Sequence, residues 1–167
     1  MFRNITYLAA AVLLTGCGFK PIYGSAGETN IGAELATVEI ALIKDRIGQQ
    51  LRNHLLDSIN PGGTPTNPNY RLVVRLTELK QELAVKKSEI STRANLSFSA
   101  RFQLQGLKTQ MGTSFSGVSQ IVTSYNILSS DFGTLAAEQD ARSRAVRELS
   151  ADITNRIAAF LQTVRVS

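Results

Sequence analysis

From Ala94 to Gln105 the chain alternates without a break. Ala94, Leu96, Phe98, Ala100, Phe102 and Leu104 are apolar, and Asn95, Ser97, Ser99, Arg101, Gln103 and Gln105 are polar. A period of two puts successive side chains on opposite faces of an extended strand, so this segment must have one face on a core and one face open. A one-residue slip would expose the whole apolar set, so the register is strongly fixed. A sheet with one buried face needs a cover, and the end of the chain supplies it. Ala141, Ala145, Leu149, Ile153, Ile157 and Leu161 recur every four residues, widened by Val146, Phe160 and Val164. Arg142, Arg144, Arg147, Glu148, Asp152 and Arg156 fall mostly off that stripe, the pattern of an amphipathic helix starting at Asp131. About 30 residues at 1.5 Å each give a helix of roughly 45 Å, so its first turns should project or kink beyond a small sheet.

The remaining elements follow the same logic. Val38 to Ile43 reads as a short strand with Val38, Ile40 and Leu42 on one face. Ile43, Ile47, Leu51, Leu55 and Ile59 form a second four-residue stripe and predict a helix over 45–59, weakened at its centre by Gly48. Asn60-Pro61-Gly62-Gly63 ends it, and 64–69 continue as loop. In Tyr70-Arg71-Leu72-Val73-Val74-Arg75-Leu76 the even positions are apolar and two of the odd positions, Arg71 and Arg75, are basic. Leu83 and Val85 have the opposite parity, which predicts a bulge between Leu76 and Leu83. Lys86 to Ser91 is a charged hairpin tip, and 106–112 form a second turn. Ser114 to Ile127 supplies another strand, with Phe115, Ile121, Tyr125 and Ile127 in phase. The order strand, helix, three strands, helix predicts an α+β domain over 35–167. Its four-stranded, mostly antiparallel or mixed sheet carries two helices on one face.

The amino-terminal segment reads as an address. Arg3 gives a positive start, and Ile5 to Leu14 is an apolar run within the range of a secretory segment and too short to span a bilayer. Leu14-Thr15-Gly16-Cys17 then resembles a bacterial lipobox, with Thr15 where Ala or Ser is usual. In such a motif the sulfur receives a diacylglycerol, the chain is cut before it, and the new amino terminus is acylated. We therefore expect a signal peptide over 1–16, a lipidated Cys17 carrying S-diacylglycerol and N-acyl (palmitate-type) chains, and a tether over 17–34. The bland alternative is an ordinary signal peptide followed by a buried thiol. Three acyl chains would hold a protein at a membrane stably, where one would not. Removing Arg3 leaves 17 Lys and Arg against 13 Asp and Glu, a net charge of about +4 that favours anionic partners. An exported, tethered protein would seldom meet nucleic acid.

Catalytic chemistry has little to build on. The single histidine, His54, lies beside an apolar helical stripe, and no serine sits in a nucleophile elbow. One histidine and one committed cysteine make a poor metal set. We expect no catalytic residue, no metal and no cofactor other than the lipid. The cations point to binding instead. Arg71, Arg75, Arg93 and Arg101 project from strands and Lys86 with Lys87 crowns the hairpin, so the candidate anion ligands are these six. Guanidinium forks match phosphate oxygens. The same charges would equally serve a solvated face that keeps sheet edges from pairing.

Gly18-Phe19-Lys20-Pro21-Ile22-Tyr23-Gly24 directly after the lipobox resembles the opening of the LptE family of lipopolysaccharide (LPS) assembly lipoproteins. Ser124-Tyr125-Asn126 and Ala141-Arg142-Ser143-Arg144-Ala145, with Glu148-Leu149 and Ile153, resemble that family's closing strand and last helix. The resemblance implies a lipid-anchored protein on the periplasmic side of the outer membrane. It would sit as a plug in the LptD β-barrel as a heterodimer, help that barrel assemble, and take part in LPS delivery to the cell surface, binding LPS itself. Gly18 after the cysteine is compatible with outer-membrane sorting. Two other readings keep the anchor and change the role: an auxiliary lipoprotein of an ABC-type lipid transport system, and a tethered periplasmic hydrolase.

Overall fold

A computed structural model of the chain describes residues 31–83, 92–107 and 114–166. The expected signal peptide, Cys17, and the hairpin tip with Lys86 and Lys87 lie outside the described residues. The elements are α1 (Ile31–Leu35), β1 (Val38–Ile40), α2 (Arg46–Ile59), β2 (Tyr70–Leu83), β3 (Thr92–Gly106), β4 (Ser114–Ile127) and α3 (Asp131–Val166). The strands form one sheet in the order β1-β2-β3-β4. β1 runs parallel to β2, and the two later pairings are antiparallel, so the sheet is mixed, one of the two arrangements expected from the order of elements.

Register explains the core. Leu72 sits opposite Leu104, which sits opposite Phe115, and Ala94 sits opposite Tyr125. These side chains share the covered face with Phe98 and Leu96, both buried. Against them pack Ala145, Leu149, Ile153 and Ile157 of α3, and Leu51, Leu55 and Ile59 of α2 complete the same cluster. Phe115 joins the two layers: its ring stacks on Phe160 at 4.8 Å and meets Phe102 edge-on at 5.8 Å. Gly117 is needed there, because a Cβ would lie 2.6 Å from the Phe102 ring.

Three expectations change. No bulge interrupts β2, which pairs residue for residue with β3 from Tyr70↔Gly106 to Leu83↔Arg93. The even parity therefore continues past Leu76, leaving Leu79 exposed and turning Glu78 and Lys80 toward α3, whose acidic and basic residues receive them. The predicted strand over 38–43 ends at Ile40, although Ile43 is buried. The segment expected to be tether contains α1, whose Ile31 and Leu35 are buried and whose end is fastened by the Thr37 hydroxyl donating to the Glu34 carbonyl at 2.7 Å.

α3 has 36 residues, longer than expected, and none of residues 131–140 is buried, so its first turns do extend past the apolar ladder. At the other helix, Gly48 turns out to be a contact rather than a weakness. A Cβ at this position would lie 2.7 Å from the Ile43 Cγ2. Asp45 precedes α2 with φ 66° and ψ 162°, a backbone region that L-residues rarely occupy, and its side chain forms no cap.

Candidate functional site

The uncovered face of the sheet carries the odd positions of β2 and β3 and the even positions of β4. Antiparallel pairing places Arg75 directly opposite Arg101, and Arg101 opposite Val118. Two guanidinium groups facing each other across a strand pair repel, and such an arrangement costs stability unless an anion joins them. Among the described residues neither has an ion-pair partner, and both are exposed. They border a shallow cleft of about 500 Å³, with Val73, Gln103, Ser116 and Val118 among its lining residues. Two planar forks beside an amide and a hydroxyl make a surface suited to a phosphate group.

The other cations are distributed differently. Arg71 shares the open face but is already engaged, its Nε donating to Glu39 Oε2 at 3.1 Å and its Nη2 to Glu39 Oε1 at 3.4 Å. Arg93 lies opposite Asn126, eight positions from Arg101 along β3, or about 26 Å at 3.3 Å per residue. Of the six candidates, the fold thus brings Arg75 and Arg101 together, neighbours Arg71 as a paired residue, and keeps Arg93 apart. His54 is half-buried on α2, and its carbonyl accepts the Ser58 hydroxyl at 2.9 Å. Among the described residues no three His, Cys, Asp or Glu side chains converge on a metal-sized site.

Sequence reasoning missed a polar cluster on the covered face. Arg142 Nε donates to Glu78 at 2.8 Å, and its Nη2 lies 2.6 Å from Glu138. Glu138 also accepts from the Tyr125 hydroxyl at 2.8 Å and from Lys80 at 3.2 Å. Lys80 stands 5.7 Å from the Tyr125 ring centre. Burial opposes ionisation of Glu138, but the hydrogen bonds from Tyr125 and Lys80 and the Arg142 charge outweigh it, so its carboxyl titrates below the usual range. Lys80 is held above the ordinary lysine range, chiefly by its hydrogen bonds with Tyr125 and Glu138. The signal was present in the sequence: Glu78 and Lys80 sit at apolar-phase positions of β2, and Glu138 and Arg142 are four apart on a helix.

With this geometry in view, known proteins provide a frame. The family model "LptE: Lipopolysaccharide-assembly" matches residues 35–157. No curated protein matches the chain by sequence. Among solved structures, a lipoprotein from Caulobacter crescentus CB15 superposes with a TM-score of 0.64 at 20% identity, covering 81% of this chain and 97% of that one. A minor lipoprotein from Acinetobacter baumannii gives 0.46 at 18% identity, over 73% and 91% of the two chains. The rare lipoprotein B from Shewanella oneidensis gives 0.47 at 12% identity, over 77% and 96%. The Caulobacter protein therefore shares the fold, and the family match spans α1's end through most of α3. The chain belongs to the LptE family of lipopolysaccharide-assembly proteins.

Proposed function

We propose that this chain is an outer-membrane lipoprotein, anchored through an acylated Cys17 on the periplasmic side, that plugs the LptD β-barrel, helps it assemble and takes part in handing LPS to the cell surface. In this role Arg75 and Arg101 grip a phosphate of the LPS headgroup, and no bond is made or broken by the protein. The observation that carries the reading is the LPS-assembly family match over residues 35–157. Two physical features support it. No described helix is long and apolar enough to cross a membrane, so an acyl anchor would supply the attachment. The open face, rich in Ser, Asn and Gln around its arginines, suits a polar barrel lumen, where hydroxyls and amides find partners.

The test uses the chain with its native leader. Detergent extraction from outer membranes followed by mass spectrometry of the intact assembly is expected to show a triacylated chain bound to one barrel. Cys17→Ala is expected to abolish the acyl mass, and persistence of that mass would refute the anchor. Arg75→Glu with Arg101→Glu is expected to weaken LPS binding at least tenfold, more at low salt than at high salt. Unchanged binding would remove the arginine pair from the ligand site.

A further inference from the structure

We infer that the cleft between the start of α2 and the first turns of α3 binds a zwitterionic phospholipid of the phosphatidylethanolamine type. Its headgroup sits in the cleft and its apolar part lies along α3. The cleft holds about 490 Å³, an ordinary size for a small-molecule site. Its walls come from α2, from α3 and from Glu78 of β2, so it opens on the covered side of the sheet. It is therefore separate from the arginine pair on the open face, and it needs no barrel partner to form.

The charges of the cleft select the headgroup. Of its charged lining residues, Glu78 and Arg142 neutralise each other, with Arg142 Nε donating to Glu78 at 2.8 Å. The other two, Asp45 and Arg46, are exposed and have no ion-pair partner among the described residues. An aspartate before a helix ordinarily accepts from the first N–H groups, yet Asp45 makes no such bond. Its φ of 66° and ψ of 162° lie in a region that favours glycine, and this strained backbone leaves the carboxylate free beside the cleft. One free carboxylate next to one free guanidinium fits a ligand that carries both signs. A primary ammonium satisfies Asp45, and a phosphate satisfies the planar fork of Arg46. A headgroup with phosphate alone would set an anion against Asp45. A quaternary ammonium is held by aromatic faces, and none of the described lining residues is aromatic.

The same cleft has an apolar exit. Leu135 lines it, and Phe132 continues that wall, because residues 132, 135, 139 and 143 follow one another three or four apart on one helix face. Phe132 is 81% exposed and Leu135 51%. Large apolar side chains left in water beside a charged cleft suit a ligand with an apolar body, and a free zwitterion has none.

Calorimetric titration of the full-length chain in detergent, with dihexanoyl lipids kept below their micelle-forming concentrations, tests this site. Dihexanoyl phosphatidylethanolamine is expected to bind about tenfold more tightly than the phosphatidylcholine and phosphatidylglycerol counterparts, as one unmade charge-assisted hydrogen bond would dictate. Asp45→Asn is expected to erase the preference over phosphatidylglycerol, and Arg46→Gln to weaken both lipids about tenfold. Phe132→Ser is expected to weaken phosphatidylethanolamine about fivefold and to leave O-phosphoethanolamine unchanged. Asp45→Gly separates binding from folding: relief of the backbone should raise Tm by about 2–4 °C while the preference disappears. An Asp45→Gly chain that binds as the parent does overturns the role of the carboxylate. Equal binding of the three lipids, or binding of none, overturns the headgroup assignment. O-phosphoethanolamine binding as tightly as the lipid overturns the apolar contact and makes the ligand a free zwitterion. A doubled mass that Phe132→Ser returns to a single one overturns the inference by giving the apolar wall to a second copy.

Discussion

The interface between α3 and the sheet has two ends built from opposite chemistries. At one end Leu149, Ile153, Ile157 and Leu161 press on the covered face and are almost fully buried. At the other, the same strand face presents Glu78 and Lys80, and the same helix answers with Glu138 and Arg142. Burying a leucine stabilises by roughly 1.5–3 kcal/mol whatever its orientation, so the apolar end supplies stability. Partly exposed ion pairs are worth about 0–1 kcal/mol each, but they are directional. The polar end therefore sets where the extended first turns of α3 lie, and contributes less to holding the fold together.

The largest effect expected from this contrast is at Leu149, where no surface is exposed. Leu149→Ala should cost about 2–5 kcal/mol in a denaturant titration, since the methylenes are lost and the site collapses only partly. A cost below about 1 kcal/mol would place the mechanical centre of the domain elsewhere. Gly48→Ala comes next and pits two effects against each other. Helix propensity favours alanine by about 1 kcal/mol. The added methyl would lie 2.7 Å from the Ile43 Cγ2, a side chain with only 2% exposure and little room to yield. Overpacking costs about 1–3 kcal/mol, so the variant should be less stable despite its better helix former. A stabilised Gly48→Ala would show that Ile43 can move aside.

That last residue shows why part of the fold was legible in the sequence and part was not. Period-two alternation over 94–105 and the four-residue ladder over 141–161 fix strand, helix and buried face, because both signals come from burial alone. Gly48 is invisible to such reasoning: its reason lies five residues earlier, in a side chain that reaches it only after the turn at Asp45 has closed. The unbroken β2 was missed for a related cause. Charged residues at apolar-phase positions read as a broken pattern until their partners on α3, some 60 positions away, are known. The candidate site divides in the same way. Parity put Arg71, Arg75 and Arg101 on one face, but only register could show that Arg75 meets Arg101 and that Glu39 occupies Arg71.

The polar end should reveal itself through pH. The Glu138 carboxyl titrates below its ordinary value near 4.5, so the folded state keeps it ionised while the unfolded chain takes up a proton. Its contribution is therefore complete above the unfolded value and is lost as pH falls through the range below 4.5 toward the folded value. Glu138→Gln should cost about 1–2 kcal/mol at neutral pH, as a hydrogen-bonded charged group does when removed. The difference between variant and parent should shrink steadily in acid. A difference independent of pH between 7 and about 3 would mean that packing of the side chain, and not its charge, holds α3 to β2.

The smallest effects belong to the open face, and there the sign is informative. Arg71 and Glu39 are paired but 48% and 31% exposed at their side chains, so Arg71→Ala should cost less than about 1 kcal/mol, and less still in high salt. Arg75→Ala should do the reverse. Removing one of two guanidiniums that face each other relieves repulsion and leaves no acid unpaired, so stability should rise by a few tenths of a kcal/mol at low salt. A residue whose presence weakens the free fold is one whose benefit comes from something bound to it. If Arg75→Ala instead destabilises the chain as Arg71→Ala does, the pair has a structural partner and its claim as an anion site disappears.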